Sequence, residues 1–256
     1  MLLAIDIGNT NIVFALCEGE AIHAEWRIRT DIHRTADEYA VWLYTLMAQQ
    51  RIAPEAITAA IVSSVVPDAN FAIKTFIRSH LKCEPHMVVS GEVDVGMKVL
   101  IDHPGELGAD RFINAYAAWS QHHQPLIIID FGTATTFDVV SGAGDYLGGV
   151  IAPGINLSLE ALKRAAAKLH GVAIQHPATV IGRNTTSAMQ SGIFYGYTGL
   201  IEGIVSRIKA ERNEPMRVIA TGGLAPLYSS ATTMIDEVSP DLTIRGLMLI
   251  HERKPT

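Results

Sequence analysis

The sequence predicts an α/β fold made of two similar halves facing one cleft. Three observations predict it. Strand-sized apolar runs alternate with segments of helical periodicity along the chain. One short motif occurs twice: DIGNTN at 6–11 and DFGTAT at 130–135 share D-x-G-(N/T)-(T/A)-(N/T), about 124 positions apart in a chain of 256. No Pro-rich or Ser-rich linker, charge block or low-complexity tract interrupts the sequence, so the halves should pack tightly against each other.

The elements follow in order. LLAIDI (2–7) and IVFAL (12–16) are β-prone runs around a polar turn, which predicts an opening hairpin. Thr35 and Glu38 have capping-box spacing, and Tyr39, Leu43 and Leu46 recur at helical intervals, predicting a helix to about Gln50. AAIVSSVVP (59–67) reads as a buried strand closed by Pro67. Phe71, Ile73, Phe76, Ile77 and Leu81 outline an amphipathic helix, HMVVS (86–90) a strand, and Gly108 to about Gln121 another helix. Phe71, Phe76 and Trp119 are expected on core faces. LIIIDFGTATTFDVV (126–140) repeats the opening design, and YLGGVIAPG (146–154) leads into a helical stretch through Leu157, Leu159, Leu162 and Leu169. A long helix runs from about Thr185 to Ala210, with Gly192, Gly196, Gly199 and Gly203 on one face. Each glycine costs ~1 kcal/mol against Ala, so close approach of another backbone, from this chain or a second subunit, is expected there. MRVIATGG (216–223) predicts a strand entering a double-glycine turn, and LTIRGLMLIHE (242–252) a closing helix.

Composition excludes several functional classes. Hydrophobic residues at 48% and charged residues at 18% argue against disorder. The net charge of −6 provides no bulk basic field for nucleic acid or an anionic membrane. Cys17 and Cys83 match no metal spacing or secreted disulfide framework and read as small apolar fillers, which suits a reduced, cytoplasmic setting. MLLAIDIGNTN lacks a basic n-region and reaches Asp6 after few apolar residues, unlike a signal peptide or membrane span.

The common catalytic templates are missing: no G-x-x-x-x-G-K-(S/T), no strand-following G-x-G-x-x-G, no H-E-x-x-H and no G-x-S-x-G. Two strand-ending Asp-x-Gly turns and one strand-to-Gly-Gly turn remain. Gly lets backbone approach a ligand, and exposed amides with the hydroxyls of Thr10, Thr133, Thr135 and Thr136 can donate to phosphate oxygens. Asp6 or Asp130 beside them would hold a cation or a water. One such turn alone is usually structural; the duplication favours a nucleotide between two lobes, with Gly222 and Gly223 beside the nucleoside. GADR (108–111) opens a predicted helix. Its Asp-Arg pair reads either as a helix-dipole or ion-pair contact, or as Arg111 holding an anionic substrate while Asp110 receives a hydroxyl proton. His103, His122 and His123 lack ligand spacing and read as surface or helix-end residues.

DIGNTN, PGELGADR (104–111), DFGTATTFD (130–138), GGVIAPG (148–154), IGRNTTSAMQSG (181–192) and ATGG (220–223), in this order, resemble the type III pantothenate kinases, which include the Bvg accessory factors. The likeness runs from Asp6 to at least Gly223. It implies a duplicated actin-like (ribonuclease H-like) fold, with one half over 1–120 and the other over 121–256. It also implies phosphorylation of pantothenate from ATP at the opening of coenzyme A synthesis. By motif position, Asp6, Ile7, Gly8, Asn9, Thr10 and Asn11 would hold the ATP phosphates, with Thr133 adding a contact. Asp130 would coordinate a monovalent cation, potassium or ammonium, required besides the magnesium that accompanies ATP. Gly108, Ala109, Asp110 and Arg111 would bind pantothenate, with Asp110 as proton acceptor. Thr185 would complete the pocket from across a homodimer interface, making the glycine-striped helix an interface element. Ile101 departs from the family, which often has tyrosine three residues before the PxxxGADR proline, so one hydroxyl contact to substrate is lost or supplied elsewhere.

Two other readings stay open at this level: another small-molecule kinase on the same fold, and a nucleotide-binding regulatory protein without needed turnover. A filament protein is disfavoured by the short chain and the compact GADR segment, and a pure binder has no evident need for Asp110.

Overall fold

The computed structural model describes residues 1–90, 93–165 and 172–253. The chain forms two compact units. One comprises Met1–Met97, Asp102–Ala117 and the segment from Leu242; the other comprises Lys98–Ile101 and Ala118–Asp241.

The first unit begins with three antiparallel strands, β1 (Leu2–Ile7), β2 (Asn11–Glu18) and β3 (Ala21–Arg29). The opening hairpin is as expected. β3 is an addition, hard to read because only Ala24 of this edge strand is buried. Helix α1 (Ala36–Gln49) carries the predicted capping box: Thr35 Oγ1 accepts from the Glu38 N–H at 3.3 Å and Glu38 Oε2 from the Thr35 N–H at 2.7 Å. β4 (Ala59–Ser64) returns parallel to β1; α2 (Pro67–Phe76) starts on Pro67, and β5 (Pro85–Val88) completes the order β3-β2-β1-β4-β5. Leu3, Ala4, Ile5 and Ile7 of the central strand are fully buried, and Tyr39, Leu43, Ile73 and Phe76 join the same core. Phe71 does not: it is 81% exposed. Two residues before Ile73, it projects about 200° around the helix from the face that α2 buries. α3 (Ala109–His122) begins on the GADR segment, and its residues to Ala117 belong to this unit.

The second unit repeats the plan. β6 (Leu126–Phe131), β7 (Ala134–Val140) and β8 (Tyr146–Pro153) form an antiparallel meander, followed by α4 (Ile155–Ala165) and the 28-residue α5 (Thr185–Arg212). β9 (Arg217–Gly222) runs parallel to β6; then come α6 (Ala225–Ser229) and β10 (Glu237–Val238), parallel to β9. The order β8-β7-β6-β9-β10 matches the first sheet strand for strand. The match extends to detail: a register shift falls between the sixth and seventh residues of β2 (Leu16/Cys17) and of β7 (Val139/Val140). Trp119 is half-buried over Gly144 and edge-on to His123, rather than deep in the core.

α7 (Leu242–Glu252) closes the chain, but in the first unit, so a division at 120/121 misplaces it. It buries Leu242, Ile244, Leu247 and Ile250, packs on β1 and β4, and its Thr243 hydroxyl donates to Asn114 Oδ1 of α3 at 2.7 Å. A helix that carries no motif is assigned by burial, which sequence order does not encode. Leu169, expected in the helix now seen as α4, lies outside the described residues. On α5, a methyl group at Gly192, Gly196 or Gly199 would have no neighbour within 4 Å among the described residues. The expected close backbone partner is therefore not in this chain's described portion.

Candidate active site

In the first unit, β1 ends at Asp6 and Ile7, and Gly8 to Asn11 form the turn into β2. The Gly8 N–H donates to Asn11 O at 3.0 Å, the Thr30 N–H to Thr10 O at 3.0 Å, and Thr30 Oγ1 to Gly8 O at 2.6 Å. These bonds use inward-facing backbone groups and leave Asn9, Thr10 and Asn11 exposed. Asp6 is paired across the sheet with Ser63 of β4, whose side chain is fully buried.

The GADR segment lies against the same strand end. The Val65 N–H donates to Ile7 O at 3.0 Å, and a Val65 methyl stands 3.8 Å from where a Gly108 Cβ would be. That same Cβ would approach Asp110 Oδ1 to 2.6 Å, so the glycine lets the carboxylate fold back over the helix start. There Asp110 Oδ1 accepts the Arg111 N–H at 2.8 Å. Burial raises the Asp110 pKa from its ordinary value, while the Arg111 N–H and guanidinium work against the shift. Asp6 is pushed up to about 7, first by burial and then by the nearby Asp110 charge, with the Ser63 hydroxyl and Arg27 opposing. Two carboxyls that resist simultaneous ionisation suit a site that receives a cation or a proton. Among the described residues, no three His, Cys, Asp or Glu side chains group to hold a metal by themselves.

The second unit builds a parallel arrangement. Asp130 is paired with Thr136 on one side and Thr221 on the other, the latter matching Ser63 beside Asp6. The Gly132 N–H donates to Ala134 O at 3.1 Å, and Gly132 and Thr133 are exposed. Gly222 has φ +88°, and a Cβ there would stand 2.7 Å from Phe131 O and 2.9 Å from Asp130 Oδ1. Only glycine fits this approach, which brings the double-glycine turn, Gly222 and Gly223, against the Asp130 strand end. Thr185 is exposed at the first turn of α5, behind the Asn184 cap. Ile101 lies 3.7 Å from a Gly148 Cβ position, in the second unit.

Three supporting residues escaped the sequence: Thr30, Gly154 and Tyr197. Gly154 falls inside the GGVIAPG motif, a signal of importance without a role, whereas Thr30 and Tyr197 carry no local signal. A cavity of about 250 Å³ at the other end of β1, lined by Met1, Cys17, Glu18 and His251 among others, contains none of the site residues. Cys17 is 1% exposed and its thiol is pushed up to about 11, chiefly by burial, which fits its reading as an inert filler.

Two sheets of one topology, each ending its central strand in an Asp-x-Gly turn, define the actin-like class of folds. A solved structure of a putative 2-dehydro-3-deoxygalactonokinase from Sinorhizobium meliloti matches 98% of this chain and 96% of its own, with TM-score 0.61 at 13% identity. A putative Baf family transcriptional activator from Campylobacter jejuni matches 98% and 97%, with TM-score 0.60 at 18% identity. Within that class the sequence profile of the type III pantothenate kinases matches residues 2–207. The type III pantothenate kinase of Paramagnetospirillum magneticum is 57% identical over 256 residues, covering 100% of this chain and 98% of its own, and that of Rhodospirillum rubrum 54% over 253 residues, covering 99% and 98%. The chain belongs to the type III pantothenate kinase family.

Proposed function

We propose that this chain transfers the terminal phosphoryl group of ATP to the primary hydroxyl of pantothenate, the reaction that opens coenzyme A synthesis. The observation that carries this reading is Asp110 beside the Asp6 strand end: a half-buried carboxyl with raised proton affinity next to a turn that exposes Asn9, Thr10 and Asn11.

Phosphoryl transfer passes through a loose transition state, so it asks mainly for positioning and charge neutralisation. Asp6 to Asn11 and Thr133 hold the phosphates through amides and hydroxyls, with Gly222 and Gly223 beside the nucleoside. Asp110 accepts the hydroxyl proton as the bond to phosphorus forms; a raised pKa makes it the better base. Arg111 holds the carboxylate of pantothenate through its planar fork, with Gly108 and Ala109 shaping the segment. Magnesium bound with ATP neutralises phosphate charge, and Asp6 is the carboxylate suited to it, since a cation relieves its unfavourable ionisation. Asp130, with the Thr136 and Thr221 positions beside it, offers hard oxygen donors for a monovalent cation, potassium or ammonium.

The bare glycine face of α5 and the exposed Ile151, Val180 and Ile181 of the same unit support assembly as a homodimer in which Thr185 completes a neighbouring pantothenate pocket. No described helix is long and apolar enough to cross a membrane. The cytoplasm, which holds ATP and potassium, is the proposed location.

The test is ADP release with ATP, magnesium and potassium, with and without pantothenate, then with sodium replacing potassium. Pantothenate-dependent release that collapses in sodium is expected. Folded, ATP-binding protein whose release ignores pantothenate overturns the reading.

A further inference from the structure

The second phosphate turn is held by long-range contacts in addition to the Gly132–Ala134 bond of its own hairpin. A methyl group on Gly154 would overlap the Thr133 carbonyl and stand 2.8 Å from the Gly132 carbonyl oxygen, so the backbone after β8 forms a floor directly under Gly132–Thr133. That floor is fastened to α5 through Tyr197. The Tyr197 hydroxyl lies 2.8 Å from Pro153 O and 3.2 Å from Gly154 O. A phenol has one O–H to donate. With that proton directed at the two carbonyls, the Ser158 hydroxyl of α4, also in contact, donates to the phenol oxygen. Tyr197 is 8% exposed; Gly154 O also accepts the Ser158 N–H at 2.9 Å, so loss of the phenol proton would cut the tie from α5 to the Pro153 and Gly154 carbonyls while Gly154 O keeps its partner on α4.

One helical turn earlier on α5, Phe194 stacks on Tyr228 at 5.5 Å and 20°, and Tyr228 on Phe131 at 5.5 Å and 11°. Phe131 is the residue before Gly132. The aromatic column thus fixes the strand end that enters the turn, and Tyr197 fixes the floor beneath the turn.

We infer that Tyr197 is a positioning residue for ATP, setting the height of the Gly132–Thr133 turn by tying Pro153 and Gly154 to α5. The inference rests on the proposed role of Thr133 at the ATP phosphates, and Tyr197 itself touches no substrate. A floor that drops by a few tenths of an ångström weakens amide and hydroxyl contacts to phosphate without touching Gly108–Arg111.

Three variants of the full chain test this: Tyr197→Phe, which keeps the ring; Ser158→Ala, which removes the donor to the phenol oxygen; and Thr133→Ala, which removes the proposed phosphate contact. Each is measured for ATP KM, pantothenate KM, kcat and thermal midpoint. Tyr197→Phe is expected to raise the ATP KM about three- to tenfold, the scale of one hydrogen bond, with pantothenate KM unchanged and kcat within about threefold. Ser158→Ala should move the ATP KM in the same direction by less. An unchanged ATP KM in Tyr197→Phe, or equal rises in both KM values, overturns the inference. Should Tyr197→Phe fail to fold, an unchanged ATP KM in folded Ser158→Ala overturns it instead. An unchanged ATP KM in Thr133→Ala removes the underlying role of the turn, and the inference with it; a rise there with none in Tyr197→Phe removes the inference alone.

Discussion

The two sheets share strand order, pairing and even the position of a register shift, yet they secure their Asp-x-Gly turns by different means. In the first, Thr30, the residue immediately after β3, donates to Gly8 O, a bond made within one meander. In the second, the residue immediately after β8 is Gly154, which has no side chain to donate; it offers a flat contact under Gly132–Thr133 and is fastened by Tyr197 of α5. The chemistry differs likewise. Asp6 has a second carboxyl, Asp110, close enough to raise its proton affinity, whereas Asp130 faces Gly222 and its turn. A duplicated fold thus repeats its topology while its halves differ in detail: the first places a second carboxyl beside its turn, and the second draws support for its turn from a long helix.

The sharpest way to break this comparison is Asp110→Asn. Removing a general base costs ~10² to 10⁴ in rate, about 2.7 to 5.4 kcal/mol, and the effect should fall on kcat in steady-state assays of protein with a normal thermal midpoint. Near-normal turnover would take the proton chemistry away from the first half. Gly154→Ala comes next. Its methyl has only backbone to displace, so the second turn must shift, at about 1–3 kcal/mol of stability and with a raised ATP KM; a variant matching the parent in urea melts and ATP KM would mean that the floor yields freely.

The pH dependence of folding is the third lever. The folded-state pKa of Asp6, about 7, lies above its ordinary value of 3.8, so between those limits the folded protein binds more protons than the unfolded chain. Its contribution is therefore most favourable below about pH 4 and is lost as pH rises toward 7, at up to ~1.4 kcal/mol per pH unit. Asp6→Asn should be more stable than the parent at pH 8 without ligands, with the difference shrinking toward pH 4. Asp110 is shifted in the same direction, so adding Asp110→Asn should flatten the profile further. Denaturant titrations across that range read both effects, and a difference that grows on acidification would contradict the raised pKa. The smallest effect belongs to Thr30→Val, which removes one hydrogen bond worth about 0.5–1.5 kcal/mol. It should raise the ATP KM two- to tenfold with no dependence on Tyr197, and double-mutant coupling between Thr30 and Tyr197 above ~0.5 kcal/mol would show that the two supports are not separate.

Much of the candidate site's local structure was legible because Asp-x-Gly turns are local objects. Asp6 to Asn11, Asp130 to Thr133 and Gly222–Gly223 each lie at a strand end within a few consecutive residues, and Gly108–Arg111 opens its helix as the spacing predicts. The Thr35–Glu38 cap was equally plain. Thr30 and Tyr197 were not, because a threonine after an edge strand and a tyrosine in a helix look the same whether or not a carbonyl waits opposite. Phe71 failed for a related reason. Apolar residues at i, i+2 and i+5 fit one helix only if one of them faces out, and periodicity alone did not say which.

By itself, the sequence determined the alternation of strands and helices, the repeated Asp-x-Gly turn and the family, since these reside in consecutive residues and in their order. Tertiary structure alone decided that α7 joins the first unit behind α3, that Asp6 and Asp110 influence each other's protonation, and that Gly154 and Tyr197 carry the second turn. Those outcomes depend on burial and on distances between residues remote in the chain, quantities that exist only once the sheets have formed and their faces have been covered.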